Sequence, residues 1–341
     1  MRRYKVAVVG ATGAVGGEIL NILAARRFPA FEVVALASAR SANAVVRYGE
    51  TMVPVLDLAT YDFRGTDICL SAPGASVSKE FAPRAAAAGC VVIDKSSQFR
   101  MDPDVPLVVP EVNPRDLAWH SKRNIIASPN CTTIQMVVAL KPLHDLGVIK
   151  RIVISSYQAV SGAGKEAMVE LDQQTRAVCA EETAKPEVFS KQIAFNLIPQ
   201  IEEFADDEYT KEELKLTRET HRILDPSIKV SATCVRVPVF NCHGESVNVE
   251  FKRPVSPEEA RDALRGAPGV AVIDNPVGGE FATPIECSGR DEVFVSRIRP
   301  DRSVKNGLNL WLVSDNLRKG AALNAVQIAE VLARDYMKLG S

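Results

Sequence analysis

The residue best suited to chemistry in this sequence is Cys131, which lies in the run SPNCTT at Ser128–Thr133. An apolar segment, Ile125–Ala127, reaches a Pro-Asn turn before the cysteine, and the residues after it have the apolar spacing of a helix. The positive end of a helix dipole favours the thiolate, which is the nucleophilic form, and N–H groups there can hold a developing oxyanion. The pattern predicts a nucleophilic thiol, and a buried structural cysteine near a helix cap is the alternative.

A thiolate nucleophile needs a group that moves protons, and the chain has only four histidines. His243 is the best placed of them, because it lies in a polar turn, Pro238–Glu245, between two apolar segments. Gly244 permits tight loop geometry there. His144 is interpreted instead as a histidine near a helix end, where it complements the dipole. No two histidines have the spacing of metal ligands, so no metal site is predicted.

Four more polar residues have types that can hold a substrate. Gln158 follows a strand and opens the segment QAVSGAGK, where its amide can hydrogen-bond a reacting group; a plain Gly-rich turn is the simpler local interpretation. Arg236 interrupts the apolar strand Lys229–Val239, and a guanidinium there needs a carboxylate from a ligand or from the protein. Glu212 and Lys215 share one helix face, although an ordinary surface ion pair explains that spacing.

The turn after the first apolar segment has the glycine spacing of a nucleotide-binding loop. The sequence GATGAVG, residues 10–16, follows the predicted strand Val6–Val9 and leads into a helical pattern from Val15 to Arg26. This is the context that a dinucleotide fingerprint requires, since small residues let the backbone approach a pyrophosphate at the helix N-terminus. A tight strand–helix turn without a ligand is the alternative.

Two arginines outside this loop are candidate anion-binding residues. The second predicted strand, Val33–Ala37, ends near Arg40 and Ser41, where NAD-specific enzymes usually have an Asp or Glu. An arginine among hydroxyls suits a 2′-phosphate, so the sequence favours NADP; a solvated loop arginine is the alternative. Arg100 follows another strand in the same half of the chain and is a candidate clamp for a substrate anion.

The elements around these residues predict an α/β fold in two parts. Short apolar runs alternate with helical patterns in the first half, which predicts a parallel, doubly wound sheet of Rossmann type. After residue 150 the strands are longer and alternate polar with apolar residues, which is typical of an α+β domain with a mainly antiparallel sheet. We expect domains at 1–130 and 131–315, with a C-terminal helix, 316–341, that packs back on the first. The predicted strands are Val6–Val9, Val33–Ala37, Ile68–Leu70, Val91–Ile93, Leu107–Val109, Ile125–Ala127, Arg151–Tyr157, Lys229–Val239, Ser246–Phe251, Val293–Ile298 and Leu308–Val313; the last helical pattern is Ala321–Leu339.

Composition excludes several other classes of protein. The 341 residues are 46% hydrophobic and 24% charged, which is ordinary for a soluble globular chain of this size. The net charge of −1 provides no basic field for nucleic acid or an anionic membrane. Seven scattered cysteines without a CxxC pair argue against a disulfide framework and a zinc ribbon. Because neither a signal peptide nor a membrane-spanning run is present, we expect a cytoplasmic protein.

Six segments, in this order, resemble motifs of the aspartate-β-semialdehyde dehydrogenase family. The resemblance implies a reaction that depends on NADPH: L-aspartyl-4-phosphate is reduced to L-aspartate-4-semialdehyde, with loss of phosphate, through a cysteine thioester. The phosphorylating direction is the reverse of this reaction. That reaction is a shared step toward lysine (through diaminopimelate), methionine and threonine. A homodimer or a dimer of dimers, formed through the second domain, is also implied. The matching segments are Gly10–Gly16, Ser128–Thr133, Gln158–Gly164, Glu212–Lys215, Arg236–Val239 and Asp315–Ala322.

The resemblance also implies a role for each matching residue. Cys131 would be the nucleophile, His243 the acid and base, and Gln158 the residue that orients the thioester. Arg236 would hold the substrate α-carboxylate, with Glu212 near the ammonium group.

Further residues would bind the phosphate and the cofactor. Arg100 and Lys215 would bind phosphate, which suits a chain without a positive field of its own. The residues implied to contact NADP are Gly10, Thr12, Gly13, Ala14, Val15, Arg40, Ser41, Ser161, Gly162 and Asn316.

One segment departs from the family pattern, and two alternatives stay open. The family usually has Gly-His-Ser-Glu around the base, whereas residues 242–245 here are CHGE, which adds a thiol that is open to oxidation if exposed. One alternative is N-acetyl-γ-glutamyl-phosphate reductase, in which Glu212 facing an ammonium would be out of place because the amine is acetylated. The other is a non-catalytic NADP-sensing protein, which would not need Cys131 and His243 together.

Overall fold

Two large sheets organise the chain, which a computed structural model describes over residues 3–337. The chain divides into one unit of residues 1–130 with 321–341 and a second unit of residues 131–320. Within the described residues, no helix is both long and apolar enough to cross a membrane.

The first unit is built on a seven-stranded sheet whose strands are mostly parallel. Its order is β3-β4-β2-β1-β5-β6-β7, and only the β3–β4 pair is antiparallel. Residues of the central strands are buried throughout, as expected where helices cover both faces. This confirms the predicted Rossmann-type sheet. The elements are β1 Tyr4–Val9, α1 Ala14–Ala25, β2 Ala30–Ala37, β3 Val45–Tyr48, β4 Thr51–Asp57, β5 Ile68–Ser71, α2 Ala75–Ala87, β6 Val91–Asp94 and β7 Ile125–Ala127.

One predicted strand of this unit is wrong and two strands escaped prediction. Leu107–Val109 is not a strand, because prolines at 106 and 110 enclose it and each removes a ladder donor; only Leu107 forms a bridge, to Ala127. The hairpin β3–β4 reverses at Gly49, which has a φ of +57°. Its strands are largely exposed or half-buried, so they lack the continuous apolar runs that mark the buried strands.

The second unit contains a six-stranded sheet in the order β11-β14-β15-β10-β8-β9. Its three central pairings are antiparallel, and the two outer pairings are parallel, which confirms the mainly antiparallel sheet. The elements are α3 Cys131–Gly147, β8 Ile149–Gln158, α4 Lys165–Cys179, α5 Lys211–Ile223, β9 Lys229–Arg236, β10 His243–Phe251, α6 Pro257–Arg265, β11 Val270–Val272, β12 Asp274–Asn275, β13 Glu280–Phe281, α7 Pro284–Cys287, β14 Val293–Pro300 and β15 Gly307–Ser314.

Two strand boundaries in this sheet differ from the prediction, and both matter for the site. The strand predicted over Lys229–Val239 ends at Arg236, two residues before Pro238, which cannot donate to the ladder. Arg236 is therefore at the end of a strand and not inside it. Strand β10 begins at His243, three residues before the predicted start, so His243 lies in the sheet and not in the preceding turn.

Two helices of the second unit begin with a capping box. At the start of α6, Ser256 and Glu259 form one such box, with Glu259 three residues after Ser256. A second box, which the sequence analysis missed, joins Thr210 and Glu213 at the start of α5. Glu213 also accepts a hydrogen bond from the Cys234 N–H at 2.9 Å, which ties the first turn of α5 to β9.

The end of the chain packs in the first unit. Helix α8, Leu323–Val331, is flanked by π-helical turns at Arg318–Ala322 and Leu332–Tyr336, so the predicted helix over Ala321–Leu339 is helical through residue 336. The last residues of that prediction lie outside the described residues. Helix α8 shares one apolar core with α1 and the parallel sheet, in which Ile22 and Val326 are fully buried.

Candidate active site

Cys131 is the first residue of α3, as its sequence context predicts. Its thiol is half-buried, and its Sγ lies 3.3 Å from Nε2 of His243. The helix dipole favours the thiolate at this position. A Cβ added at Gly320 would lie 2.9 Å from the Cys131 Cβ, so the glycine leaves the space that the nucleophile occupies. Gly320 lies in the matching segment Asp315–Ala322, which carries no local signal for this contact.

The tautomer of His243 is fixed by one backbone group. The ring is fully buried, and its Nδ1 accepts a hydrogen bond from the Ala159 N–H at 3.0 Å. A neutral imidazole that accepts at Nδ1 must carry its proton on Nε2, the nitrogen that faces the sulfur. Burial and the charge of Arg236 lower the pKa of His243 to about 3, so the ring is neutral at pH 7. The resting pair therefore places an N–H donor against the sulfur of Cys131.

Arg236 is a buried cation that forms no salt bridge within residues 3–337, although the charge of Glu212 is near enough to favour its charged form. Its side chain is 6% exposed, and Nη1 donates to the Ala159 carbonyl at 2.7 Å. Its guanidinium carbon also lies 5.9 Å from the centre of the Phe189 ring. The backbone of Ala159 thus holds both Arg236, through its C=O, and His243, through its N–H. A planar donor fork held in this way is suited to a carboxylate.

Gln158 and Glu212 form a buried chain of hydrogen bonds beside this pair. The Gln158 Nε2 donates to Glu212 Oε1 at 3.0 Å, and its Oε1 accepts from Ser156 Oγ at 3.0 Å. Lys215 lies 3.2 Å from Glu212 and also pairs with Glu202. Because Glu212 is only 4% exposed, this is not the ordinary surface ion pair that the spacing suggested.

Sheet register explains why residues so far apart in sequence meet here. Gln158 and Arg236 are directly opposite in the parallel pair β8–β9. In the antiparallel pair β8–β10, Gly244 lies opposite Tyr157, so His243 is beside Gln158. One row across three strands therefore carries Arg236, Gln158 and His243.

Ser161 and Asn316 are joined to each other at the loop before β10. Asn316 Nδ2 donates to Ser161 Oγ at 2.9 Å, while Asn316 Oδ1 accepts from the Cys242 N–H at 2.9 Å. Gly162 lies against the catalytic row, since a Cβ there would be 3.1 Å from Arg236 Nη1 and 3.3 Å from His243 Cε1. The hydrogen bond from the Cys242 N–H to Asn316 fixes Cys242, the residue that precedes His243.

The departure from the family pattern around His243 has a structural explanation. Cys242 adopts a φ of +70°, a left-handed conformation that glycine, the family's usual residue, adopts without strain. At Gly244 a Cβ would lie 2.6 Å from the Trp311 ring, so the family's usual serine does not fit here. Cys242 is fully buried and burial raises the pKa of its thiol, which argues against the predicted oxidation liability.

The predicted nucleotide loop lies in the first unit, at the edge where β1 and β2 end. Gly10 has a φ of +77°, and a Cβ at Gly16 would lie 2.1 Å from the Gly10 carbonyl oxygen, so both positions require glycine. Helix α1 begins at Ala14, directly after Gly13. Because β1 and β2 are parallel neighbours, the loop and the exposed Arg40 follow strands that end at the same edge.

The remaining predicted residues of this unit have defined places. Ser41 closes the short 3₁₀ turn Ala39–Ser41 that follows β2. Thr12 and Val15 are half-buried in and just after the glycine turn. Arg100 is 7% exposed, and its guanidinium donates to the carbonyls of Ser128 at 3.0 Å and Lys95 at 2.6 Å.

The fold and the site define a two-domain semialdehyde dehydrogenase. Residues 5–120 match the family model described as "Semialdehyde dehydrogenase, NAD binding domain". Residues 140–319 match the model described as "Semialdehyde dehydrogenase, dimerisation domain". Within residues 3–337, no cluster of three or more His, Cys, Asp or Glu residues could hold a metal ion.

Individual relatives give a more specific assignment. The chain is 55% identical over 336 residues to the aspartate-semialdehyde dehydrogenase of Aquifex aeolicus (strain VF5), which covers 97% of this chain and 98% of the relative. A crystal structure of aspartate semialdehyde dehydrogenase II complexed with ASA from Vibrio cholerae is 48% identical, with a TM-score of 0.97 and coverage of 99% and 100%. The Candida albicans enzyme, solved with NADP, is 28% identical, with a TM-score of 0.75 and coverage of 97% and 99%. The chain belongs to the aspartate-semialdehyde dehydrogenase family.

Proposed function

We propose that this protein reduces L-aspartyl-4-phosphate to L-aspartate-4-semialdehyde with NADPH, through a thioester on Cys131. The observation that carries the proposal is the 3.3 Å contact between Cys131 Sγ and the Nε2 of a neutral, buried His243. Family membership supports a role in amino-acid biosynthesis and disfavours the two alternatives, the acetylated-substrate reductase and the NADP-sensing protein.

The chain's own residues account for the chemistry at sulfur. The thiolate of Cys131 attacks C4 of the acyl phosphate, and phosphate leaves with the electron pair of the C–O bond and takes up a proton from solvent. His243 Nε2–H donates to the sulfur whenever the sulfur carries charge: before this attack, and again when the thiolate is expelled as the aldehyde forms. Division of one difficult step into two easier ones is the usual benefit of a covalent intermediate.

The buried row beside the sulfur would bind and orient the substrate. Arg236 would take the α-carboxylate, since its buried fork forms no salt bridge within the described part of the chain. Glu212 would face the ammonium group, and Gln158, which Glu212 and Ser156 hold in place, would orient the thioester carbonyl. Arg100 and Lys215 would bind the phosphate group.

The glycine loop fits a dinucleotide, because at Gly16 the backbone of α1 approaches the loop more closely than any side chain would allow. Gly10, Thr12, Gly13, Ala14 and Val15 would hold the pyrophosphate, and Ser161, Gly162 and Asn316 would face the rest of the cofactor. NADPH, when bound, supplies the hydride. The exposed Arg40, with Ser41, supports NADP over NAD, because a guanidinium pairs with the 2′-phosphate that only NADP carries.

We further propose a homodimer formed through the second unit. The match to a dimerisation domain over residues 140–319 supports a dimer, and a dimer of dimers is the larger assembly to test. Light scattering coupled to size-exclusion chromatography separates one, two and four chains of 341 residues. The cytoplasmic location stays a prediction.

An NADP-linked absorbance assay tests the proposed activity. The purified protein, aspartate semialdehyde, phosphate and NADP should give a rise in absorbance at the NADPH band, and N-acetylglutamate semialdehyde should give none. Turnover with the acetylated compound alone would overturn the assignment. Cys131→Ala is the matched control, and it should lose turnover while its circular dichroism spectrum stays that of the parent.

A further inference from the structure

The nucleophile and the histidine are the first of two contacts between α3 and β10. Gln135 follows Cys131 by four residues, which is about 6 Å along a helix and brings it back to the same face. Glu245 follows His243 by two residues, which is about 6.7 Å along a strand and again the same face. These distances along the helix and along the strand are nearly equal. Gln135 therefore lies next to Glu245, just as Cys131 lies next to His243.

The pair Gln135 and Glu245 is polar, whereas the next row of side chains on the same face of the sheet is apolar. The row of Glu245 continues through Ser156 on β8 to Cys234 on β9. The next row on the same face is apolar, with Val247 opposite Ile154. A leucine or methionine at 245 would continue that apolar packing, so core packing alone does not explain a carboxyl group here.

Gln135 and Glu245 are also the most poorly satisfied polar groups in the described residues. Within residues 3–337, five buried side-chain nitrogen and oxygen atoms lack a hydrogen bond of ordinary geometry, and four of them belong to this pair, whose amide and carboxyl groups are close enough to interact with each other. The fifth is Thr133 Oγ1. Both side chains are fully buried. Unsatisfied buried polar groups are rare in folded proteins and concentrate where function requires them.

The charge state of Glu245 decides whether it opposes the thiolate of Cys131, which lies in the neighbouring contact between α3 and β10. Burial raises the pKa of Glu245 well above its usual range, and only the nearby Gln135 amide lowers it. Burial therefore favours the protonated, neutral form of Glu245. Its titratable neighbours are His243, two residues away on the same strand, and Cys234 on β9, whose pKa it raises. An ionised carboxylate at residue 245 would also oppose a thiolate at Cys131.

We propose that Gln135 and Glu245 are positioning residues that hold the start of α3 against β10 and thereby set the contact between Cys131 and His243. A neutral polar pair at this depth fixes the register of helix on strand, because only one arrangement brings the two polar ends together. The inference rests on the proposed function, in which Cys131 is the nucleophile.

The test is the pH dependence of Cys131 alkylation, measured without substrate or cofactor. Iodoacetamide labels thiolates, and mass spectrometry of each peptide separates Cys131 from Cys179, the exposed cysteine that serves as an internal reference. Gln135→Met and Glu245→Met keep side-chain length and remove the polar ends. We expect each to raise the apparent pKa of Cys131 by about one unit, which lowers its labelling rate about tenfold at pH values below both the parent and the variant pKa. The rate at Cys179 should not change.

The matched control is Glu245→Gln, which keeps a neutral polar group and should label Cys131 with the parent's pH profile. In turnover, the two Met variants should lose kcat about tenfold with KM for aspartate semialdehyde within about twofold, because the substrate-binding row is intact. If Gln135→Met does not fold, Gln135→Asn withdraws the amide by one methylene and should give a smaller shift in the same direction.

Two results would overturn the proposal. Met variants with the parent's Cys131 profile would show that the pair does not act on the nucleophile, whatever their effect on stability. A shift in Glu245→Gln as large as in Glu245→Met would show that a neutral polar group is not what matters. Neither result tests the proposed thioester on Cys131. That proposal would be contradicted separately, if Cys131→Ala retained turnover.

Discussion

Replacement of Arg236 tests substrate binding and the environment of His243 in one experiment. In Arg236→Leu the buried fork is lost, and a substrate carboxylate would be desolvated without a partner. Truncation of one member of a buried, hydrogen-bonded charge pair costs about 2–5 kcal/mol, which corresponds to a rise in KM of roughly 30-fold to several thousand-fold. We therefore expect a large increase in KM for aspartate semialdehyde.

The same change removes a charge that acts on the histidine. Burial is the larger cause of the low pKa of His243, and the positive charge of Arg236 is the second. Without it the pKa of His243 should rise, so the acid limb of the kcat profile should move to higher pH. Arg236→Lys is the matched control, because it keeps the charge and loses the fork: KM should rise, while the acid limb stays near that of the parent.

Steady-state kinetics from about pH 3 to pH 9 supply both quantities, because an acid limb set by a pKa of about 3 lies below pH 5. A KM in Arg236→Leu within about threefold of the parent would refute the assignment of the α-carboxylate to this residue, since loss of even one charged hydrogen bond costs more than that. An unchanged acid limb in Arg236→Leu, with KM raised, would refute the electrostatic link to His243 and leave the binding role standing.

Three further predictions address other parts of the molecule. Arg40→Glu should weaken NADP far more than NAD in fluorescence titrations, and equal weakening would refute the 2′-phosphate contact. Gly244→Ser should lower stability by about 1–3 kcal/mol in urea unfolding, because its Cβ would lie 2.6 Å from the Trp311 ring; a companion Trp311→Leu change should recover most of the loss. Because the pKa of His243 falls from 6.5 unfolded to about 3 folded, its neutral state adds stability above pH 6.5 that is lost as pH falls, by up to about 1.4 kcal/mol per unit. Unfolding of His243→Gln should show a flatter acid dependence than the parent, and parallel curves would contradict the buried neutral ring.

Much of the fold could be predicted because local sequence decides it. Buried parallel strands are continuous apolar runs, and the glycine turn at residues 10–16 has a required strand before it and helix after it. The hairpin β3–β4 escaped because partly exposed strands carry no such run. The error at Leu107–Val109 came from apolar residues between two prolines, where composition favours a strand and the missing donors prevent one.

The residues of the site were predictable in type, whereas their partners were not. Cys131 was predictable because it follows a Pro-Asn turn at the start of a helical pattern. The contact of Ala159 with both His243 and Arg236 depends on backbone groups, which carry no sequence signal at all. The burial of Glu212 likewise follows from the packing of α5 on β9, which spacing within one helix does not reveal.

The most direct test of the account is to capture the thioester. Excess NADP and aspartate semialdehyde, mixed without phosphate and quenched in acid, should give a burst of one NADPH per active site. The peptide that contains Cys131 should then carry the added mass of an aspartyl group, phosphate added before the quench should remove it, and Cys131→Ala should show neither burst nor adduct. A burst with no adduct on Cys131, or with the adduct on another residue, would contradict the central claim.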